Sequence, residues 1–308
     1  MIGVSTMADS AKKIFITGAA GFVGSCVTQK AVEKGYDVHI LVRENTDLRR
    51  IEGIRSGLKI HTGNLLDFKG LRKIFLDVKP NGIIHFATSN MMSGVRASDE
   101  VVIKTNILGI VNLFNAAEDI AYEFFINTGS PLEIDPGELY GITKLAATLY
   151  GQALATTKGR PILTLRLATP YGPGIQEGRL IFNIISQALR NSDLALSRPE
   201  VSRDFIFVED IAEVYFEAIE KSKDLKGKIF DIGSGVSTSL NDLARLVLKL
   251  TASRSKVRWD PTLATSYDNR VWRTDTEKTF ANFDWRPRYS LEAGLKKTIE
   301  WFKEIYRV

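Results

Sequence analysis

The strongest constraint on the fold is a glycine-rich stretch near the start of the sequence, residues 14–24 (IFITGAAGFVG). Four apolar or β-branched residues precede Gly18, Gly21 and Gly24, and an apolar helical pattern follows. In such a strand–turn–helix unit, the first glycine makes the turn, the second lets the backbone approach a pyrophosphate, and the third lets the helix pack closely on the strand. N–H groups at the helix start favour phosphate. We predict a dinucleotide site; a plain strand–loop–helix is the alternative, because the spacing is G-x-x-G-x-x-G rather than G-x-G-x-x-G.

Strand-like and helix-like segments alternate through the first half of the chain. Continuous apolar runs predict strands at 14–17, 38–42, 58–61, 82–87, 124–126 and 162–167. Helical patterns predict helices at 22–34, 67–78, 101–120 and 137–157. Because apolar runs without alternation are typical of strands buried on both faces, the pattern predicts an α/β fold with a Rossmann-type, doubly wound parallel sheet.

The regular alternation of predicted strands and helices changes after the sixth strand, where residues 171–174 (YGPG) strongly indicate a loop. We predict a disordered lead over residues 1–11 and a dinucleotide-binding Rossmann domain over 12–168, with a return segment near 204–232. A smaller C-terminal α/β substrate-binding lobe is predicted over 169–308. Ligands of open α/β sheets lie outside the carboxyl ends of the strands, so we expect the site in the cleft between the lobes.

Composition narrows the functional classes. The 308 residues carry a net charge of +5, spread along the chain, which suits anionic small molecules better than nucleic acid. Cys26 is the only cysteine, which excludes an intramolecular disulfide and fits a reducing, cytoplasmic setting. His39, His61 and His85 lie on separate predicted strands, so we predict no metal site. No apolar run reaches about 18 residues, and we expect no membrane contact.

A second informative stretch, residues 138–144 (ELYGITK), follows the fifth predicted strand. On a helix, Tyr140 and Lys144 are four residues apart and share a face. A tyrosine has a pKa of about 10, and a nearby ammonium lowers that pKa by favouring the phenolate. The pair can therefore give or take a proton at a carbonyl or carbinol oxygen. This spacing is more often a surface pair, but its position after a strand of a nucleotide-binding sheet favours catalysis.

These motifs resemble those of the extended short-chain dehydrogenases/reductases, the branch of NAD(P)-dependent epimerases, dehydratases and sugar-nucleotide reductases. The resemblance extends over about residues 13–285. Six matches occur in order: T-G-x-x-G-F-x-G at 17–24, H-x-A at 85–87, N-x-x-G at 106–109, R-x-x-N-x-Y-G-P at 166–173, R-D-F-I-x-V-x-D-x-A at 203–212 and N-I-G-x-G at 231–235. Together they are specific for the branch, but not for one substrate.

The resemblance implies roles for the matching residues. Tyr140 would be the acid/base, and Lys144 would hold the nicotinamide ribose. Thr128, twelve residues before Tyr140, would hydrogen-bond the reacting oxygen, with Ser130 as the alternative. Thr128 and Tyr140 would both contact the substrate. The implied cofactor contacts are Gly18, Gly21, Phe22, Val23, Gly24, Arg43, Asn64, Leu65, Ala87 and Asn106, with Tyr140 and Lys144.

The resemblance also implies a substrate that carries phosphate. Arg203 would bind a substrate phosphate with its fixed charge and forked donors. Arg270 lies before residues 275–278 (DTEK), which resemble a late D-x-x-K of the branch, and would be a second phosphate contact or else a surface arginine. Thr169 stands where the branch usually has the asparagine of R-x-x-N, and would also contact the substrate.

Two residues after the second predicted strand point to different dinucleotides. An acidic side chain there binds the ribose 2′-OH of NAD, whereas a nearby arginine suits the 2′-phosphate of NADP. Arg43 lies directly at the strand end and Glu44 follows it. We predict NADP, with NAD as the alternative.

The short connection from the fifth strand to Tyr140 argues against the longer-looped epimerases and 4,6-dehydratases. The first hypothesis is therefore reduction of the C4 keto group of an NDP-4-keto-6-deoxyhexose, with Tyr140 as proton donor. The alternatives are an NAD-dependent NDP-sugar 4-epimerase and, in another class, a non-catalytic NADP-sensing protein. Apolar residues on the helices at 101–120 and 138–158 resemble the dimer interface of the family, which predicts a homodimer.

Overall fold

The computed structural model describes residues 11–89, 97–264, 268 and 272–307. The strands are β1 (Lys13–Thr17), β2 (Asp37–Val42), β3 (Leu58–Thr62), β4 (Gly82–His85), β5 (Phe124–Gly129), β6 (Ile162–Leu167), β7 (Thr169–Tyr171), β8 (Leu194–Leu196), β9 (Ser202–Phe207), β10 (Ile229–Ile232), β11 (Ser237–Ser239) and β12 (Val257–Trp259). The helices are α1 (Phe22–Glu33), α2 (Phe68–Val78), α3 (Asp99–Ile103), α4 (Gly109–Ala116), α5 (Leu139–Thr157), α6 (Leu180–Leu189), α7 (Val208–Glu220), α8 (Leu240–Thr251), α9 (Glu277–Asn282) and α10 (Leu291–Tyr306). Residues 1–10 of the predicted disordered lead lie outside the described residues.

Seven parallel strands form the central sheet in the order β10-β6-β5-β4-β1-β2-β3. β1 lies between β4 and β2, with Thr17 opposite His85 of β4 on one side and Leu41 of β2 on the other. The carboxyl ends of parallel strands share one edge of the sheet, where the ligands of such folds bind. The predicted Rossmann-type, doubly wound parallel sheet is confirmed.

Helices cover both faces of this sheet. α1 and α7 pack on one face, where Val27 and Tyr215 join the sheet residues of one buried cluster. α2, α4 and α5 cover the other face, where Phe75, Leu113 and Ala147 are buried in a second cluster. The strands are therefore buried on both sides, as their continuous apolar sequences predict.

The C-terminal part of the chain builds a smaller assembly beside the sheet. β9 pairs with β7 in parallel and with β11 antiparallel, and β8 pairs with β12. A third apolar cluster joins these short strands to α6, α8 and α10. The chain crosses between the two parts more than once, because β10 returns to the central sheet beside β6. The predicted boundary near residue 168 remains a prediction.

Cys26 lies in α1, where this helix meets the start of α7. Its thiol lies 3.6 Å from the carbonyl oxygen of Val208, to which it donates a hydrogen bond. Burial, followed by the negative charge of Glu209, raises the pKa of the thiol to about 12. Among the described residues, no helix combines the length and the apolar character that crossing a membrane requires.

Candidate active site

The glycine turn joins β1 to α1 at the carboxyl edge of the sheet. Gly18 has a φ of +70°, and a Cβ there would lie 2.5 Å from the backbone nitrogen of Ala87, so only glycine fits. A Cβ at Gly24 would lie 2.1 Å from the carbonyl oxygen of Gly18, so the helix and the turn pack backbone to backbone. α1 starts after Gly21, and no side chain of the described residues caps its N-terminus. The bare turn and the uncapped first-turn N–H groups fit a pyrophosphate.

Residues after β2 and β3 lie along the same edge. The Arg43 side chain is exposed, and its backbone N–H donates to the Thr46 hydroxyl at 2.9 Å. The Asn64 side chain accepts the N–H of Leu66 at 3.0 Å, which folds the chain into a tight turn after β3. Leu65 is buried, and its carbonyl oxygen accepts from the Asn112 amide at 2.9 Å. Because β1, β2 and β3 are parallel neighbours, these residues and the glycine turn share one edge of the sheet, and the Arg43 side chain is exposed there.

His85 joins β4 to β1 beneath the glycine turn. Its Nδ1 lies 2.7 Å from the Thr17 hydroxyl, and both side chains are buried. Burial, assisted by the positive charge of Lys144, lowers the pKa of His85 to about 3. His85 is therefore neutral at physiological pH and fixes the strand ends rather than carrying a charge.

Tyr140 lies at the start of α5 and is half-buried. Burial raises the pKa of Tyr140 to about 12, while the charge of Arg179 and a hydrogen bond with Thr88 act in the opposite direction. The prediction that a nearby ammonium lowers the pKa of Tyr140 is therefore wrong, because loss of water around the ring raises it. At neutral pH the side chain is a phenol, which is the form that donates a proton.

Lys144 follows one helical turn later and is 5% exposed. Its ammonium donates a hydrogen bond to the carbonyl oxygen of Thr128, at the end of β5. Burial lowers the pKa of Lys144, and the negative charge of Glu133 opposes this shift. Lys144 therefore connects the helix that carries Tyr140 to the strand end that carries the candidate hydroxyl groups.

The two candidate hydroxyl groups of this strand end have different environments. Thr128 Oγ1 lies 2.6 Å from the hydroxyl of Tyr215, a buried residue of α7, on the sheet face opposite α5. Ser130 is buried, and its hydroxyl accepts the N–H of Leu132 at 3.3 Å, which leaves the hydroxyl proton available. Which of the two contacts the reacting oxygen remains a prediction.

Asn106 lies in the π-helical turn at Lys104–Leu108, and π turns often occur at functional sites. Its carbonyl oxygen accepts from the Thr88 hydroxyl at 2.9 Å and from the Ser89 N–H at 2.7 Å. Its amide nitrogen donates to the Ser89 carbonyl at 3.1 Å and to the Thr143 hydroxyl at 3.0 Å. Asn106 thus ties the segment after β4 to α5, close to Tyr140.

Arg203, the predicted phosphate ligand, lies on β9. Its guanidinium pairs with the Asp268 carboxylate and lies 5.7 Å from the centre of the Trp272 ring. Burial lowers the pKa of Arg203, and Asp268 opposes the shift. Thr169 is half-buried on the neighbouring β7. Arg270 lies outside the described residues.

Several residues near the predicted pair were missed by the sequence reasoning. Thr88 and Arg179 act on Tyr140 from the segment after β4 and from the start of α6, and neither belongs to a motif. Glu133 did have a signal, because Ser130 and Glu133 form the S-x-x-E pattern of a capping box. The remaining residues are recognised only from their places in the fold.

A glycine turn after an interior strand of a parallel sheet, with a tyrosine and a lysine on the helix after β5, defines the class of extended short-chain dehydrogenase/reductase enzymes. The model of the "NAD dependent epimerase/dehydratase family" matches residues 14–233, and the chain belongs to this family.

Named relatives cover nearly the whole chain. Human dTDP-D-glucose 4,6-dehydratase is 26% identical, over 96% of this chain and 91% of its own length. UDP-glucuronate 4-epimerase from Thermodesulfobacterium geofontis is 27% identical, over 94% of this chain and 95% of its own length. The crystal structure of UDP-glucuronic acid 4-epimerase from Bacillus cereus, in complex with UDP-glucuronic acid and NAD, is 22% identical with a TM-score of 0.85, over 96% of this chain and 100% of that chain.

Proposed function

We propose that the protein reduces the C4 keto group of an NDP-4-keto-6-deoxyhexose with a nicotinamide dinucleotide. The observation that carries the proposal is the place of Tyr140 at the start of α5, one helical turn before Lys144, where burial raises its pKa to about 12. A residue that stays protonated at neutral pH suits a reaction that consumes a proton. The short connection of nine residues between β5 and α5 also supports it, because this connection forms one wall of the candidate sugar site.

Each candidate residue has a separate role in the proposed reaction. A nicotinamide, when bound, would supply the hydride that forms the new C–H bond at C4. Tyr140 donates its phenol proton to the C4 oxygen as the electron pair of the C=O bond moves onto that oxygen. Thr128 or Ser130 donates a hydrogen bond to the same oxygen, and Lys144 holds the ribose beside Tyr140. Proton transfer by a positioned side chain of this kind contributes about 10²–10⁴ in rate.

Substrate binding is proposed for the second part of the chain. Arg203, with its forked donors, binds a phosphate of the nucleotide, and Arg270 is a second candidate contact. Thr169, on the strand beside that of Arg203, is proposed to contact the sugar. The names of the relatives, which act on dTDP- and UDP-linked sugars, support a nucleotide sugar as the substrate class.

For the cofactor we propose NADP, with NAD as the alternative. Arg43 is exposed at the end of β2, and its side chain forms no ion pair with any residue in the described part of the chain. Its charge is therefore available to the 2′-phosphate of NADP. The Bacillus cereus neighbour holds NAD, which supports the alternative.

The second candidate function is an NAD-dependent NDP-sugar 4-epimerase, which oxidises and then reduces the same carbon. The relative from Thermodesulfobacterium geofontis carries the name of a 4-epimerase, and this favours the alternative. Such an enzyme regenerates its cofactor in every turnover, so it would retain bound NAD and give no net change in NADH.

The test is an absorbance assay with a panel of NDP-4-keto-6-deoxyhexoses, with NADPH and NADH offered separately. We expect stoichiometric loss of reduced cofactor with one sugar, and a loss of about 10²-fold or more in kcat for Tyr140→Phe. Tyr150→Phe, which removes a partly exposed hydroxyl from the same helix, is the matched control and should be unaffected. No consumption with any sugar, together with release of NAD on denaturation, would support the epimerase instead. Dinucleotide binding with no turnover in either assay would support the non-catalytic alternative.

We also propose that the protein is a homodimer. Val101, Ile103 and Leu108 are exposed along the segment from α3 to the start of α4, and Ile142 and Leu149 are exposed on α5. The two segments are neighbours, so these side chains form one apolar surface. A second copy of the chain, placing the same two segments against this surface, would bury it.

A further inference from the structure

Glu133 is a buried carboxylate at the candidate site, for which the proposed reaction has as yet no use. Only 2% of its surface is exposed, at the end of the 3₁₀ turn Pro131–Glu133. Its Oε1 accepts the backbone N–H of Ser130 at 2.7 Å, and its own N–H donates to the Ser130 carbonyl at 3.1 Å. The carboxylate is therefore fixed against the segment that carries both candidate hydroxyl groups.

The neighbouring glycine makes room for this carboxylate. A Cβ at Gly129 would lie 2.7 Å from Glu133 Oε1 and 2.7 Å from Arg166 Cγ. Any side chain at position 129 would push the carboxylate or the arginine away from the end of β5. The position of the Glu133 carboxylate therefore requires a glycine at position 129.

Lys144 binds the same short segment from α5. Its ammonium donates to the Thr128 carbonyl, whereas Glu133 accepts from the Ser130 N–H, so the two charges bind peptide groups on either side of Gly129. Both side chains are more than nine-tenths buried. A buried ammonium costs much free energy unless an opposite charge lies near it.

The other charged or titratable groups around this segment already have partners or are neutral. Arg166, on β6, forms an ion pair with Asp231 of β10 at 2.8 Å. His85, on β4, is neutral because its pKa is about 3. Tyr140, on α5, is a phenol at neutral pH. Among the charges that act on its pKa, that of Arg179, at the start of α6, has the largest effect. Within the described part of the chain, Glu133 is thus the carboxylate that acts on Lys144.

We propose that Glu133 is a positioning residue that fixes residues 128–130 and supplies the counter-charge that keeps Lys144 an ammonium beside Tyr140. The inference rests on the proposed function, because it assigns Tyr140 and Lys144 to the reaction. Loss of the negative charge would favour the neutral form of Lys144 and the phenolate form of Tyr140. In a protein without this charge, Lys144 would cease to be an ammonium and Tyr140 would cease to be a phenol at a lower pH than in the wild type.

Two variants separate charge from structure. Glu133→Gln keeps an oxygen that can accept the Ser130 N–H but removes the charge, and Glu133→Asp keeps the charge but shortens the side chain. We expect the alkaline limb of the pH profile of kcat to move to lower pH by about one unit or more in Glu133→Gln. We expect Glu133→Asp to keep the wild-type limb, even if its thermal midpoint falls. Glu138→Gln, which removes a carboxylate at the start of α5, is the matched control and should leave the limb unchanged.

A second readout needs no turnover. The dissociation constant of NADPH or NADH, measured by fluorescence across the same pH range, should rise at lower pH in Glu133→Gln than in the wild type, because a charged Lys144 would hold the ribose more tightly than a neutral amine. A wild type that reduces no sugar would overturn the proposed function and leave this binding comparison intact. An unchanged binding profile in Glu133→Gln, or equal shifts in both Glu133 variants, would overturn the role of Glu133.

Discussion

Position 24 requires a glycine because the backbone of the glycine turn lies too close for a side chain. A Cβ there would lie 2.1 Å from the carbonyl oxygen of Gly18, and backbone atoms cannot move aside as a flexible side chain can. We expect Gly24→Ala to separate α1 from the turn, to weaken dinucleotide binding more than tenfold and to lower the free energy of unfolding by about 2 kcal/mol. Fluorescence titration with NADPH and urea unfolding measure the two effects.

Gly53→Ala is the control for this change. A Cβ at Gly53 has no other atom within 4 Å, so the substitution should change neither quantity appreciably. Equal behaviour of the two alanine variants would show that the close contact at Gly24 does not govern the site.

His85 predicts a specific dependence of stability on pH. Its pKa is about 3 in the folded protein and about 6.5 in the unfolded chain, so below pH 6.5 the unfolded chain binds a proton that the folded protein does not. Stability contributed by neutral His85 is thus present above pH 6.5 and is lost as the pH falls, by about 2 kcal/mol between pH 6.5 and 5. Urea unfolding at several pH values should show a weaker loss for His85→Asn than for the wild type. Parallel losses in the two proteins would assign the effect to other groups, such as His39 and His61, whose pKa values are also lowered.

The environment of Tyr140 shows which residue properties the sequence could not predict. Its spacing from Lys144 predicted that the two share a helix face. The direction of its pKa shift could not be predicted, because burial and the approach of Thr88 and Arg179 depend on segments distant in sequence. The same limit applies to Thr128, whose hydroxyl contacts Tyr215, 87 residues away.

At the scale of elements, the segment over residues 101–120 shows what periodicity can and cannot predict. The apolar pattern predicted one helix, whereas the structure has α3, a π-helical turn and α4. A π-helical turn widens a helix at one point and hardly changes the spacing of its apolar residues. The turn at Asn106 could therefore not be predicted from the sequence. Strands of three residues, such as β8 and β12, were also missed because they are too short to show a period.

Asn106 allows the importance of this π-helical turn to be measured. Its amide forms hydrogen bonds with Thr88, Ser89 and Thr143, and replacing it would remove the partners of the backbone N–H and carbonyl groups of half-buried Ser89. We expect Asn106→Ala to lower the free energy of unfolding by about 2 kcal/mol. We also expect slower turnover in this variant, because the substitution would loosen the segment of Thr88, which contacts Tyr140.

Asn115→Ala is the control within α4, since the Asn115 side chain forms no hydrogen bond with any other described residue. Urea unfolding and steady-state kinetics should both stay close to the wild type. If Asn106→Ala behaved in the same way as this control, the network would contribute nothing measurable.

At the scale of the whole molecule, the sequence predicted the class of the central sheet but not the order of its strands. Continuous apolar runs predicted buried parallel strands, and the central sheet confirms this class. A return segment near residues 204–232 was predicted, but its place at the edge beside β6 was not. Sequence patterns reveal that a strand is buried, but not which strand lies next to it.

The proposed dimer surface gives a prediction at this scale. Leu149, 51% exposed on α5, would be buried between two copies, and a charge there would oppose association. We expect Leu149→Glu to be a monomer by light scattering at micromolar concentration, where the wild type is a dimer. Leu76→Glu, at a site 36% exposed on α2 and away from this surface, should remain dimeric. A monomeric wild type would refute the dimer.

The placement of Cys26 has a practical consequence for measuring motion in this protein. Its thiol is the only one in the sequence, and a pKa of about 12 leaves almost none of it as the reactive thiolate at neutral pH. Maleimide dyes should therefore modify the folded wild type only slowly, and mass spectrometry can check this. In the variant Leu76→Cys, at an exposed position of α2, the new thiol would then carry a single fluorophore or spin label while Cys26 stays in place. Changes in the environment and mobility of that label upon nucleotide binding become measurable without replacing the native cysteine.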